Sequence, residues 1–341
     1  MTRNSSTGSR RTRRSVLRLG AAAGAISIAG CLGSLRESEP ELYTTPAAAE
    51  FEAVVDAAWL KDSLEGVELL DVRDEDEFTN GHVAGASRLP DTDLMRDHYE
   101  ETEDGYKAAP EVIAAIAADA GITTEDDVVV YGSGSNLWET YAIYTLRAIG
   151  HDGMVALLDG GFPVWAAAGG DIEAGTSEPE PDTGEYEPEL ETDVLATREY
   201  VADQVHEDGA NVPLVDNRSP EEYWGIEKDG PVDRHGHITG AINVEFTQNL
   251  VEDDDGSRLR TPAELERLWL EEADLDPDEE TISYCSTAVR GSVGWFVMEQ
   301  LGWETVRNYE GSWHDWGTLT EGDGYYYTSG EGTGDVIDVF D

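Results

Sequence analysis

The chain has 341 residues, with 73 Asp and Glu against 22 Lys and Arg, a formal net charge of −51 and only two cysteines. Such a length fits about two domains, and 39% hydrophobic residues with 9 Trp and 14 Tyr can fill real cores, which excludes a wholly disordered acidic chain. The charge excludes an electrostatic nucleic-acid binder, which needs clustered Lys and Arg, and two cysteines exclude a disulfide framework or a zinc ribbon.

The first element along the chain is a processing segment. Residues 1–30 contain six Arg and no acid, and they end in an apolar stretch, Leu19 to Gly30, that is short for a bilayer span. Thr12-Arg13-Arg14-Ser15-Val16-Leu17-Arg18 resembles the twin-arginine export motif, used by proteins that cross the membrane already folded. Ile28-Ala29-Gly30-Cys31 resembles a lipoprotein box, in which Cys31 becomes the lipidated first residue of the mature chain. These features predict a signal over 1–31, a polar tether over 32–47 and a lipid anchor that holds the exported protein on the outer face of the cell membrane.

Beyond the tether the sequence repeats, which is the first thing to establish before any single element is assigned. Leu69-Leu70-Asp71-Val72-Arg73 and Gly81-His82-Val83-Ala84-Gly85-Ala86 are answered by Leu214-Val215-Asp216-Asn217-Arg218 and Gly236-His237-Ile238-Thr239-Gly240-Ala241. Asp127 to Tyr131 is answered by Thr281 to Tyr284, and the segment Asp159 to Trp165 by Glu310 to Trp316. The order implies two domains, 48–170 and 193–320, separated by an acidic Pro/Gly-rich linker at 171–192 and followed by an acidic tail at 321–341. Short apolar strands alternate with helices in each unit, so the expected fold class is α/β with mostly parallel sheets. Helices are predicted over 109–120, closed by Gly121, from Leu137 to Ala148, from the capping box Thr261-Pro262-Ala263-Glu264 to about Glu272, and after the loop at 285–290 up to Gly302.

The second unit carries the candidate chemistry. Cys285 lies where a buried strand ends and the loop Cys285-Ser286-Thr287-Ala288-Val289-Arg290 leads into a helix N-terminus. The carboxyl ends of strands in an open α/β sheet are where ligands bind. Loop amides, the positive helix end and the Arg290 guanidinium all favour an anion there, the state in which a thiol is a nucleophile. A buried inert cysteine is the competing reading, and the strand end, the helix start and the nearby Arg favour the functional one.

Together, the duplicated D-x-R and G-H-x-x-G-A signatures, the Y-C-x-x-x-x-R loop and Tyr309-Glu310-Gly311-Ser312-Trp313-His314-Asp315-Trp316 resemble a tandem-domain rhodanese, of the thiosulfate sulfurtransferase family, over about residues 50 to 320. The resemblance implies two tandem domains, each a mostly parallel sheet flanked by helices. It makes Cys285 the catalytic nucleophile, residues Ser286, Thr287, Ala288, Val289 and Arg290 the loop around substrate and persulfide, and Asp216 and Arg218 the supporting pair. It implies no metal and no organic cofactor; the partners are a small anionic sulfur donor and a thiophilic acceptor such as cyanide or a thiol. Gly132 stands at the first domain's counterpart of Cys285, so that domain is expected to be non-catalytic, and His82 and His237 belong to a structural turn signature. The sequence departs from the family pattern at Ser286, where a basic residue is usual, at Ala288, where Gly is usual, and at Glu222, where a substrate-binding Arg is common. Arg290 and the loop amides are therefore the expected anchors for thiosulfate, with 3-mercaptopyruvate the less favoured donor.

Rival classes are weighed on the same residues. Cysteine phosphatases and arsenate reductases place five residues between Cys and Arg, whereas this loop has four. A non-catalytic binding module or sulfane-sulfur carrier on the cell surface would keep the fold and tolerate the altered loop, and it is the alternative. Removing the six arginines before Cys31 leaves 16 basic against 73 acidic residues, a net charge of −57 spread over the whole mature chain, the pattern expected of a halophile's protein.

Overall fold

The buried apolar runs that the sequence marks as strands form two parallel five-stranded sheets of the same strand order. The computed structural model describes residues 45–89, 110–176, 186–228, 230, 232–253, 256–319 and 324–340. The predicted processing segment, Cys31 and most of the predicted tether lie outside the described residues.

The first sheet is built from β1 (Val54–Val55), β2 (Glu68–Asp71), β4 (Ser87–Arg88), β5 (Val128–Tyr131) and β6 (Val155–Leu158), ordered β1-β6-β5-β2-β4. The second contains β8 (Leu195–Ala196), β9 (Leu214–Asp216), β11 (Ala241–Asn243), β14 (Thr281–Tyr284) and β15 (Val306–Tyr309), ordered β8-β15-β14-β9-β11. Every pairing within both is parallel. Parallel sheets bury both faces, which is why β5 and β6 read as unbroken apolar runs, VVVY and VALL, rather than alternating ones. The duplication extends to details: the hydroxyl of Tyr131 accepts the Val83 N–H at 3.1 Å, and that of Tyr284 accepts the Ile238 N–H at 3.2 Å. His82 and His237 are both buried, each stacked on an aromatic ring (Phe78 and Tyr223) and bonded through Nδ1 to that residue's carbonyl.

Among the helices are α1 (Glu75–Asn80), α2 (Pro110–Asp119), α3 (Leu137–Ala148), α4 (Gly161–Ala167), α5 (Pro220–Trp224), α6 (Pro262–Glu266), α7 (Val289–Gln300) and α8 (Ser312–Trp316). The Thr261 capping box is present, and α6 runs on as a π-helical turn, Arg267–Glu272. The helix after the loop is expected to bury one face, yet α7 is buried nearly all round, because α3 packs along it. Thr140 and Ser292 share a hydroxyl hydrogen bond of 2.9 Å there, and Tyr144 meets Trp295 edge-on at 5.3 Å. One apolar cluster consequently runs through both halves.

A second contact between the halves is polar. Asp159, at the end of β6, is fully buried and accepts the Leu259 N–H at 2.9 Å, Leu259 ending the hairpin of β12 (Leu250–Asp253) and β13 (Gly256–Leu259). Burial pushes its carboxyl up to about 6, against the pull of the Leu259 N–H and Arg258. The fold thus favours the neutral acid: the stability it gives is fully present below about pH 4, where the unfolded group is also protonated, and is lost as pH rises through 6. An Asp159→Asn variant should lack this loss, so that its stability rises relative to wild type by up to about 3 kcal/mol between pH 4 and 7. Paired urea unfolding curves across that range check it, and a difference that does not change with pH would refute it.

Two stretches expected to lie outside the domains are woven into them. In the predicted linker, β7 (Ile172–Glu173) pairs antiparallel with β3 (His82–Val83), and Tyr186 packs against His151 with its hydroxyl 3.0 Å from Nδ1. In the predicted tail, β16 (Tyr327–Thr328) pairs antiparallel with β10 (His237–Ile238), and Asn243 on edge strand β11 bonds to the Asp335 carbonyl and the Ile337 N–H. An edge of the second sheet is thereby covered, as edges of soluble sheets need to be. No helix among the described residues is long and apolar enough to cross a membrane.

Candidate active site

Strand β14 delivers Cys285 to the carboxyl end of the second sheet, and α7 starts four residues later. The turn between them needs a left-handed residue, and Ala288 fills that place at φ 67°, a conformation that costs an L-residue roughly 1–2 kcal/mol. Glycine's freedom is missing at the very position where the sequence departs from the usual pattern. The strained backbone is held by Ser312, whose hydroxyl accepts the N–H groups of Cys285 (3.2 Å) and Ala288 (3.0 Å) and donates to the Tyr309 carbonyl (2.7 Å). Two loop amides expected to face an anion are therefore committed to a side chain. The Thr287 N–H does point at the Cys285 sulfur, at 3.4 Å, and the positive end of the 12-residue helix α7 faces the same place. Cys285 itself is 1% exposed and is not in a disulfide.

The guanidinium expected to bind substrate has an internal partner. Arg290 makes a bidentate pair with Glu222, at 2.6 and 2.9 Å, and also bonds the Ser286 hydroxyl. Glu222 is fixed in turn, because it closes the capping box of α5: its carboxylate accepts the Ser219 N–H at 3.0 Å, and its N–H donates to the Ser219 hydroxyl. The sequence signal was Ser219-Pro220-Glu221-Glu222, a helix-start pattern with Pro at the first helical position. Glu245 also faces Arg290: burial pushes its carboxyl up, Arg290 pulls it down, and Glu221 and Glu222 push it further up.

Asp216 and Arg218 lie on the neighbouring strand end. Arg218 bonds both carboxylate oxygens of Asp216, donates to the Gly236 carbonyl at 2.7 Å and lies under the Trp313 ring at 4.7 Å. Trp313 donates its backbone N–H to the Cys285 carbonyl at 2.9 Å, so the buried ion pair supports the loop from below. Ser286 and Val289 are buried, and the Ser286 carbonyl accepts the His314 N–H at 3.0 Å. The structure thus brings all six loop residues and the Asp216–Arg218 pair together. Sequence reasoning missed Ser312 as the loop's brace and Glu222 as the partner of Arg290.

The first half repeats the floor without the thiol. Arg73 grips Asp71 and the Gly81 carbonyl as Arg218 grips its own partners. Where the second site has Cys285 and, at the third residue of the helix, Gly291, the first has Gly132 and Glu139. Glu139 is buried, its carboxylate accepts the Gly134 N–H at 3.2 Å, and a Cβ on Gly132 would lie 2.4 Å from its Oε1. Burial pushes this carboxyl up, while backbone N–H groups of the loop pull it down. An internal carboxyl group therefore occupies the first loop.

A family model for the rhodanese-like domain matches this chain twice, over residues 56–168 and 197–319. The chain belongs to the rhodanese-like domain family. A thiosulfate sulfurtransferase of Corynebacterium glutamicum is 33% identical to it over 290 residues, 80% of this chain and 91% of the relative. The sulfur carrier protein TtuD of Thermus thermophilus is 32% identical over 283 residues, 79% of this chain and 94% of the relative. Among solved structures, Escherichia coli SseA, described as a 3-mercaptopyruvate sulfotransferase of rhodanese fold, superposes with a TM-score of 0.64 at 25% identity, over 76% of this chain and 98% of that one. In this rhodanese-like protein the two matched domains carry the two loops just described, one with a thiol and one with a carboxylate.

Proposed function

We propose that the protein is a sulfurtransferase that moves sulfane sulfur through a persulfide on Cys285. The observation that carries the reading is the placement of that thiol: at a strand end, at the positive end of α7, with the Thr287 N–H 3.4 Å from the sulfur. With thiosulfate, the Cys285 thiolate attacks the sulfane sulfur, a new S–S bond forms, the S–S bond of thiosulfate breaks, and sulfite leaves with the bonding pair. An acceptor such as cyanide then attacks the outer sulfur of the persulfide, taking it as thiocyanate and returning the thiolate. Thr287 and the helix end stabilise the negative charge carried by the terminal sulfur between the two steps. The names of the relatives support transfer of this kind, and thiosulfate is the donor this reading takes first. Intact mass after exposure to thiosulfate tests it: a gain of one sulfur atom, discharged by cyanide, is expected.

A sulfur carrier is the second reading, favoured by the burial of Cys285 and the internal pairing of Arg290. A carrier would gain sulfur and release it to a partner protein but not to cyanide.

The same proposal places the protein outside the cell, tethered through Cys31, on the strength of Arg13-Arg14 and the Ile28-Ala29-Gly30-Cys31 box in that order. Mass analysis of the membrane-extracted chain should find its first residue to be a lipid-modified Cys31, and a mature chain that still begins at Met1 would refute the anchor.

A further inference from the structure

A dianion approaching Cys285 meets a guanidinium already in use. Glu222 supplies both carboxylate oxygens to Arg290, and the geometry is imposed from outside the site, since the same carboxylate caps α5. Displacing it would leave Glu222, whose side chain is only 15% exposed, as a partly buried charge without its partner, which is costly. Glu245 faces the same guanidinium: its burial pushes the carboxyl up and Arg290 pulls it down, against the neighbouring Glu221 and Glu222. Two acidic side chains, Glu222 and Glu245, thus face one guanidinium at the mouth of the loop.

We propose that Glu222 is a specificity-determining residue, which turns the mouth of the Cys285 site from anion-seeking to one that prefers donors and acceptors bearing no charge, or a positive charge, beside the reacting sulfur. The inference rests on the sulfur-transfer reading and names the substrate class of that site. A thiol carrying an amine is then a better acceptor than one carrying a carboxylate, and thiosulfate is a donor of high KM. The role is positional as well as electrostatic: the helix cap holds the carboxylate where a basic side chain would otherwise meet the donor.

The test compares wild type, Glu222→Gln and Glu222→Asp in molar salt, where the acidic field of the whole protein is screened beyond about 3 Å and only local contacts count. Cys285 is loaded with sulfur from inorganic polysulfide, and its discharge is followed with cysteamine, 2-mercaptoethanol and mercaptoacetate, alongside KM for thiosulfate. Glutamine retains the capping box, so the fold is kept, and aspartate retains the charge. Removing the charge with glutamine should lower the KM for thiosulfate and raise the mercaptoacetate-to-cysteamine rate ratio, each by about tenfold, with the aspartate variant closer to wild type. If both quantities in Glu222→Gln stay within twofold of wild type while Cys285 still takes up sulfur, the specificity inference is wrong and sulfur transfer stands. If wild-type Cys285 takes up no sulfur from polysulfide or thiosulfate, both are wrong.

Discussion

Cys285→Ser is expected to lose thiosulfate-to-cyanide transfer by about a thousandfold or more, and to gain no mass from thiosulfate. A hydroxyl cannot become a persulfide, and among the described residues Cys285 is the free cysteine, so nothing at the site can substitute for it. Serine nearly matches the thiol in shape, and the Ser312 brace, which holds backbone rather than the sulfur, is unaffected. Thermal unfolding of the variant should accordingly match wild type. Transfer within tenfold of wild type, or a sulfur adduct on the variant, would sink the assignment of Cys285 as nucleophile.

The largest loss of stability is expected from Arg218→Ala. Both members of the Asp216–Arg218 pair have side chains 0% exposed, and alanine would leave Asp216 as a buried charge without its bidentate partner. Breaking such a pair from one side costs about 3–5 kcal/mol, and here the contact with Trp313 and the bond to the Gly236 carbonyl are lost as well. Salt should not rescue the variant, because a buried pair is poorly screened, whereas variants of exposed acids should respond to salt strongly. Guanidinium titrations monitored by Trp fluorescence would show the change, and a loss below 1 kcal/mol would contradict this account of the floor. Arg73→Ala, in the matching pair of the first half, should behave alike, with side chains 5% and 0% exposed.

What was legible in the sequence was local. The strands showed as apolar runs because parallel sheets bury both faces, and Thr261 to Glu264 showed as a capping box because the cap is a contact between near neighbours. The position of Cys285 followed from the same logic. What was hidden depended on partners distant in sequence. Arg290 reads as a cation for substrate until Glu222, 68 residues earlier, is seen across from it. The loop amides read as an anion cradle until Ser312, 27 residues later, takes two of them. The stretch 171–192 and the residues after 320 looked like solvated connections because their composition is acidic, yet short backbone pairings such as β7 with β3 and β16 with β10 need little from the side chains. Composition reports on what a segment can bury on average, whereas the described parts of these segments are held by peptide groups and a few aromatic rings, such as Tyr186 on His151 and Tyr325 on Trp316.

The Glu139 side chain in the first loop bears on what the duplicated domain can accommodate. A cysteine arriving at Gly132 by a single mutation would set its Cβ 2.4 Å from Oε1 of that side chain, a clash in a buried space. The second domain avoids this only because its helix has Gly291 at the matching position. Placing a thiol in the first domain thus takes at least two coordinated substitutions, the first of which is unfavourable alone. Glu139 thus keeps the duplication asymmetric, with room for a thiol in the second loop and none in the first.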